Sequence, residues 1–512
     1  MNKNKQLFIN LITTLLGLIV NIGISFGLSK YIVSTIGEEA YGFVSLANNF
    51  VMYATIFTTA LNSMASRFIT INIQRGENES ANKYFSSVLI SNVIIIGILI
   101  IPAIVLIAYL EHFVNVSAGI IIDIKLLFLF IILNFFVSLI GGVFTIATYC
   151  TNKLYLSSIK NMESYIIKAI IIVGLFVAFK PAVFYIGIAT LISGIFIVLY
   201  NVKFTKELLP DIKIKKSNFS WKKVKELVSS GIWNSITNLG NVLADGLDLI
   251  ISNLAVDAST MGIVALAKTP GNVLNTVISS VSNVFQPQII GFYSNNDIDS
   301  VVKETKQGMK ITGIFANIAF AYIVIFGLSF SYLWMPDVNS KLLYALCILT
   351  FINIFSGGVV SPIYNIFTIT NRVRGNAILN VGSGILSTAL VIILLNITSL
   401  GVYAIVGVSA LIGVIKGFII IPIYAAKCLN VSWKTFFPTI FRYTVSTMLL
   451  IGIFFIMEKF ININNWLILG ISILVCGIIG LLIDYLVLFS KEDRIRFKQM
   501  IFEKLKGVKG NE

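Results

Sequence analysis

The sequence predicts an all-α integral membrane protein of fourteen transmembrane helices, arranged as two six-helix lobes related by an internal repeat and followed by a helix pair. Three observations predict it. First, 57% of the 512 residues are hydrophobic and 12% charged, with a mean hydropathy of +0.92, more apolar than a soluble chain of this length. Second, apolar runs of about 18 to 25 residues, long enough to cross a hydrocarbon core, recur along the whole chain. Third, with the N-terminus inside, thirty of the 38 basic residues fall in cytoplasmic connections, and only Lys30, Lys125, Lys180, Lys341 and Lys459 on the opposite face. A miscounted helix would invert that pattern downstream of the error, so both termini are expected in the cytoplasm.

The first run, near 7 to 28, lacks a small-residue cleavage site after a short core and is expected to be retained as a span. It carries Asn10, Thr14, Asn21 and Ser25 but no acid. The second, 41 to 63, ends in the segment Leu61 to Ile69, which includes Arg67. The third and fourth lie near 85 to 110 and 124 to 148. The fifth, 163 to 179, contains Lys168, and only Lys180-Pro181 separates it from the sixth, 182 to 202. Residues 203–227 then hold eight lysines, which read as a topology signal and a contact for anionic lipid. The end of that stretch, Trp221 to Leu227, is expected along the membrane interface.

The seventh and eighth runs, 228 to 255 and 260 to 290, are unlike the others. The seventh carries Asn234, Asn238, Asn241, Asp245, Asp248 and Ser252, and the eighth Lys268, Asn272, Asn275, Ser279, Ser282 and Gln286. Alternating steps of four and three place each set on one helix face. Polar groups facing hydrocarbon are costly, so these stripes are expected to face one another or a wet cavity. Runs near 310 to 334, 342 to 369, 377 to 397 and 401 to 424 complete the second lobe, with Lys416 in the last. The closing pair falls at 440 to 458 and 466 to 489, with Asp484 near its end, and the basic tail from Lys491 to Lys506 is expected to form an interfacial helix.

A shift of 220 residues relates the halves. It maps the stripe of the eighth run onto Asn48, Met52, Thr55, Thr59, Asn62 and Ser66, and aligns Tyr41 to Ala47 with Met261 to Ala267 and Asn21 with Asn241. Such a repeat is the mark of a two-lobed transporter body. The expected organisation is an N-terminal lobe over 1–202, a basic linker over 203–227, a C-terminal lobe over 228–424, a helix pair over 425–490 and a cytoplasmic tail over 491–512.

Several chemistries are excluded. One histidine, His112, lies in a short external loop, so no His-based triad or intramembrane metal site can be built. Cys150, Cys347, Cys428 and Cys476 have no paired ligand spacing, and no Gly-x4-Gly-Lys-Ser/Thr phosphate loop occurs. No cofactor or metal is expected. The net charge of +15 is accounted for by topology without nucleic acid. What remains is the set of charges inside spans, Lys168, Asp245, Asp248, Lys268 and Lys416, with Arg67 and Asp484 near helix ends. Each costs roughly 2.5 to 3.5 kcal/mol at midspan and so needs a partner or a function. The spacing of Asp245 and Asp248 puts both carboxylates on the cavity face beside Lys268. Two readings stay open: an ion pair holding the helices together, or a site for substrate or coupling ion. One lysine neutralises only one of the two aspartates, and Lys168 and Lys416 could also snorkel to the surface.

With two six-helix lobes, an extra helix pair, a basic connection between lobes and the segment Leu61-Asn62-Ser63-Met64-Ala65-Ser66-Arg67-Phe68-Ile69, the chain resembles the polysaccharide and O-antigen flippases of the multidrug/oligosaccharidyl-lipid/polysaccharide exporter superfamily. The likeness covers about residues 5 to 490. It implies a MATE-like fold in a bacterial cytoplasmic membrane. It also implies transport rather than catalysis. The expected cargo is an undecaprenyl-pyrophosphate-linked oligosaccharide, moved to the external leaflet by rocking of the lobes to serve an O-antigen, capsule or exopolysaccharide. A coupling cation, proton or sodium, would act through Asp245 and Asp248. Lys268 is the candidate for the pyrophosphate, and Asn241, Asn272 and Asn275 for the sugar, with Asn21, Asn48, Lys168, Lys416 and Arg67 as further cavity candidates. A drug exporter of the same superfamily would want an acid in the first helix, and a peptidoglycan-precursor flippase several arginines in the first two; neither is present. A glycosyltransferase or ligase would need larger external loops.

Overall fold

The computed structural model describes residues 3–490 and Arg494, and every regular element among them is a helix. The first stretch, Lys3–Gln74, is two helices joined at Gly37, whose φ of 84° and ψ of 166° suit a residue without Cβ. We call these α1 (3–36) and α2 (38–74). There follow α3 (Asn78–Ala108), α4 (Ile121–Cys150), α5 (Leu154–Ala178) and α6 (Phe184–Leu208). The polar helices are α7 (221–255) and α8 (Ala258–Ser294). Then come α9 (Ile298–Trp334), α10 (Ser340–Ile369), α11 (Val373–Ile397), α12 (Val402–Cys428), α13 (Phe437–Glu458) and α14 (Trp466–Leu488). Among the described residues, eleven stretches are long and apolar enough to span a membrane. The division at Gly37 adds one, and α7 and α8 add two that hydropathy passes over because of their polar stripes. The protein is thus a multi-pass membrane protein with fourteen long helices among the described residues, as expected.

By contacts the chain forms two compact units, Met1–Ala265 with Arg374–Val402 and Leu266–Val373 with Tyr403–Glu512. This is not the division that the repeat draws at 203–227, and the reason lies in α7. Its Ser235 hydroxyl donates to the Ile56 carbonyl of α2 at 2.7 Å, and Thr388 of α11 donates to the Leu243 carbonyl at 2.9 Å. These bonds carry α7 and α11 into the first unit.

Within the first unit, α1 is tied to the α4–α5 turn, where Asn10 Nδ2 donates to the Asn152 carbonyl at 2.9 Å. The linker lies on α3: the Lys213 amide donates to Asn82 Oδ1 at 2.7 Å, and the Ser220 amide to the Ser87 hydroxyl at 2.9 Å. Val224 and Leu227 then enter a core with Leu61, Ile69, Phe85 and Phe144, while Trp221 stays 66% exposed. In the second unit α9 is central. Tyr443 of α13 stacks on Phe355 of α10 with centroids 4.8 Å apart and donates to its carbonyl at 2.8 Å. Of the basic tail expected over 491–512 only Arg494 is described, its Nε donating to the Phe489 carbonyl at 3.0 Å; the rest lies outside the described residues.

Candidate functional site

The polar stripe of α7 divides into two parts. Its first half is a seam with α2: Asn234 Nδ2 donates to the Ser63 hydroxyl at 3.0 Å, and Asn238 Nδ2 to Thr55 and Thr59 at 3.2 and 3.1 Å. Side chains expected to line a cavity are here consumed in joining helices, as small polar residues do in membranes. Asn241, one turn on, is exposed, and its side chain makes no hydrogen bond among the described residues.

Between Val242 and Gly246 the helix widens into a π turn, clasped by Asn49 Nδ2 and the Tyr53 hydroxyl, which donate to the Gly246 carbonyl at 3.0 and 2.6 Å. A π turn breaks the 3.6-residue period, and such turns recur at functional sites. The expectation that Asp245 and Asp248 share one face is therefore corrected: Asp245 is exposed, whereas Asp248 is 4% exposed and near Tyr53. Beyond it Ser252 and Asn253 are fully buried.

Lys268, Asn272 and Asn275 belong to the second unit. Lys268 is half-buried, and Asn272 and Asn275 are exposed with no side-chain hydrogen bond among the described residues, while Ser282 is buried. Lys416 opens the second π turn, Lys416–Ile420, and is half-buried. Lys168, also half-buried, sits one turn from buried Ser164 and Ile172 and has no ion-pair partner among the described residues. Arg67 is exposed at the far end of α2. Asn21 Oδ1 accepts from Ser25 at 3.1 Å, and Asn48 donates to the Val44 carbonyl of its own helix at 2.7 Å. No three His, Cys, Asp or Glu side chains converge as metal ligands among the described residues.

Sequence reasoning missed three features. One is a polar cavity of about 480 Å³ within the first unit, where Thr55, Thr59, Asn62 and Ser66 of α2 meet Ser138 and Thr145 of α4. Two other cavities there, of about 520 and 580 Å³, have almost wholly apolar linings. Ser138, Gly142 and Thr145 repeat the four-and-three spacing and are exposed together, but three positions are too few to stand out in an apolar run.

The second is a set of contacts at the ends of the helices away from the basic linker. Gly42 and Gly262, equivalent under the 220-residue shift, lie against each other: a Cβ on Gly42 would stand 2.8 Å from Gly262 Cα. Around it Ser259 donates to Glu38 Oε1 at 2.8 Å and the Ser117 hydroxyl to Glu39 Oε2 at 2.9 Å. Asn115 and Asn253 exchange three hydrogen bonds of 2.7, 3.0 and 2.9 Å.

The third is Asp484, expected near a helix end and found fully buried in the second unit. Its Oδ1 accepts from Asn317 Nδ2 at 2.8 Å and the Ser446 hydroxyl at 2.6 Å, and its Oδ2 has no hydrogen-bond partner among the described residues.

Residues 7–290 match the family described as polysaccharide biosynthesis protein. Over 505 residues the chain is 24% identical to the uncharacterized membrane protein EpsK of Bacillus subtilis (strain 168), covering 98% of each chain. Among solved structures it is similar to the lipid II flippase MurJ in an inward closed conformation, with a TM-score of 0.67 at 16% identity over 96% of this chain and all of that one. It is also similar to an inward-facing multidrug resistance MATE family transporter of the MOP superfamily, with a TM-score of 0.62 at 16% identity over 81% of this chain and 99% of that one. The fold is thus MATE-like.

Proposed function

The chain belongs to the polysaccharide biosynthesis protein family, and from that premise we propose that it is a flippase. Its cargo is a polyprenyl-pyrophosphate-linked oligosaccharide, carried from the cytoplasmic to the external leaflet of a bacterial cytoplasmic membrane. The observation that carries this reading is the set of exposed, neutral, hydrogen-bonding side chains in the middle of membrane helices: Asn241, Asn272, Asn275 and the hydroxyl cavity of α2 and α4. Hydrocarbon cannot satisfy such groups, so they belong to a wet path. An oligosaccharide asks for many neutral partners, and family membership supplies the sugar polymer. A lipid II flippase of the same fold supports a lipid-linked form of it.

In this reading the termini are cytoplasmic, the lobes are 1–202 and 228–424, the helix pair is 425–490, and transport is by alternating access between the lobes. The Gly42–Gly262 contact then lies at the external end. Lys268 takes the pyrophosphate, an acceptor-only group that requires cations. The embedded charges Lys168, Lys268 and Lys416 against Asp245 and Asp248 leave a net of +1. The π turn at Asp245 is the place for a coupling cation.

The test is Lys268→Ala and Lys268→Glu in vesicles carrying a fluorescent polyprenyl-pyrophosphate oligosaccharide. Transfer lost from protein that is still inserted and monodisperse supports the head-group role. Loss of the protein itself overturns that role in favour of a structural ion pair.

A further inference from the structure

The cavity between α2 and α4 has a hydrogen-bonding character that narrows its ligand. No Lys, Arg, Asp or Glu lines it. Thr59 donates to the Thr55 carbonyl and Thr145 to the Gly142 carbonyl, each at 2.7 Å. Asn62 is fully engaged, giving its amide to the Thr58 carbonyl at 2.9 Å and exchanging two 3.0 Å bonds with Asn92. The lining threonines have thus given their hydrogens to helix carbonyls, and because Thr55 and Thr59 also accept from Asn238, each of these two keeps one lone pair for a ligand. Ser66 and Ser138 add two hydroxyls that make no side-chain hydrogen bond among the described residues. The wall is uncharged and mixed in hydrogen bonding, with acceptors on the threonines and hydroxyls that can donate or accept on Ser66 and Ser138, and with Phe135 as an apolar surface beside it. The volume of about 480 Å³ is that of an ordinary ligand pocket.

We propose that this cavity is a subsite for a neutral polyhydroxylated sugar unit and that it selects against acidic sugars. A polyol both donates and accepts, and so matches an uncharged wall of mixed hydroxyls. A carboxylate or phosphate is charged, and the lining holds no cation to offset its lost hydration, with only a few hydroxyls to donate to it. The α2–α4 wall therefore reads the sugar, a role separate from that of Lys268. This rests on the flippase reading and adds a specificity to it.

The experiment reconstitutes the full chain in vesicles with two fluorescent probes on the same polyprenyl pyrophosphate. One carries a disaccharide of neutral hexoses, the other the same disaccharide ending in a hexuronic acid. The expected result is neutral transfer faster by about tenfold or more, the ratio that one unpaired polar group produces. Gly142→Leu, at a position where an added Cβ meets nothing within 4 Å, should fill the cavity and slow the neutral probe by at least about tenfold. Ser138→Lys should reverse the preference. Equal wild-type rates for both probes, unchanged in the two variants, would overturn the subsite and leave the flippase standing. Movement of neither probe would overturn both.

Discussion

Replacing Gly42 by alanine tests whether its contact with Gly262 is a gate. The new Cβ would stand 2.8 Å from both N and Cα of Gly262 and 2.9 Å from Met261 Cε, against an ordinary contact of 3.4–4 Å. Met261 can swing away, but the main chain of Gly262 cannot, so the helix ends must part. Overpacking of this kind costs about 1–3 kcal/mol, charged only to the state in which the ends meet. The equilibrium should then shift by about 5- to 150-fold toward the separated state. The assay is the labelling rate of Ala40→Cys, 4% exposed in this structure, by an impermeant maleimide added on the side opposite the basic linker, with the four native cysteines replaced. Labelling should rise at least about fivefold in Gly42→Ala and further in Gly262→Ala, whose Cβ would enter the Glu38 main chain. Gly23→Ala, with nothing within 4 Å, should change nothing. Unaltered labelling in both gate variants would refute the reasoning.

Further outcomes follow from other groups. If ionisation of Asp245 and Asp248 biases the two lobe states, the variant Asp245→Asn with Asp248→Asn should lose its response to an imposed proton or sodium gradient; transport that keeps that response removes the coupling role. The different burial of the two predicts unequal single variants: Asp245→Asn should change transport with little effect on stability, and Asp248→Ala should lower the melting temperature as well. Asp484→Leu leaves the Asn317 and Ser446 donors unpaired, at about 1–3 kcal/mol, whereas Asp484→Asn keeps an acceptor in place. Melting curves should order wild type and the asparagine variant well above leucine, and a leucine variant as stable as wild type would deny the cluster a structural role.

Spans were legible in the sequence because burial in hydrocarbon writes directly into hydropathy, even for α7 and α8, whose polar stripes announce themselves by spacing. The 220-residue shift pairs Gly42 with Gly262, and these two lie against each other. Face assignment beyond Asn241 was not legible: periodicity assumes an unbroken α-helix, and the π turn at Val242–Gly246 sends Asp248 inward. Nor does a polar stripe say whether it meets water or another helix; Asn234 and Asn238 bond to α2, while Asn241 stays exposed. Asp484 looked peripheral because distance along a helix does not encode depth within a bundle. The α4 hydroxyls became visible only when α2 supplied the opposite wall.

The most direct measurement offers reconstituted vesicles a polyprenyl-pyrophosphate oligosaccharide and, separately, a cationic dye under a proton or sodium gradient. The flippase account predicts leaflet transfer of the glycolipid, lost on Lys268→Ala, and no dye accumulation. Dye accumulation without glycolipid movement would contradict it and make the polar stripes a path for coupling ions.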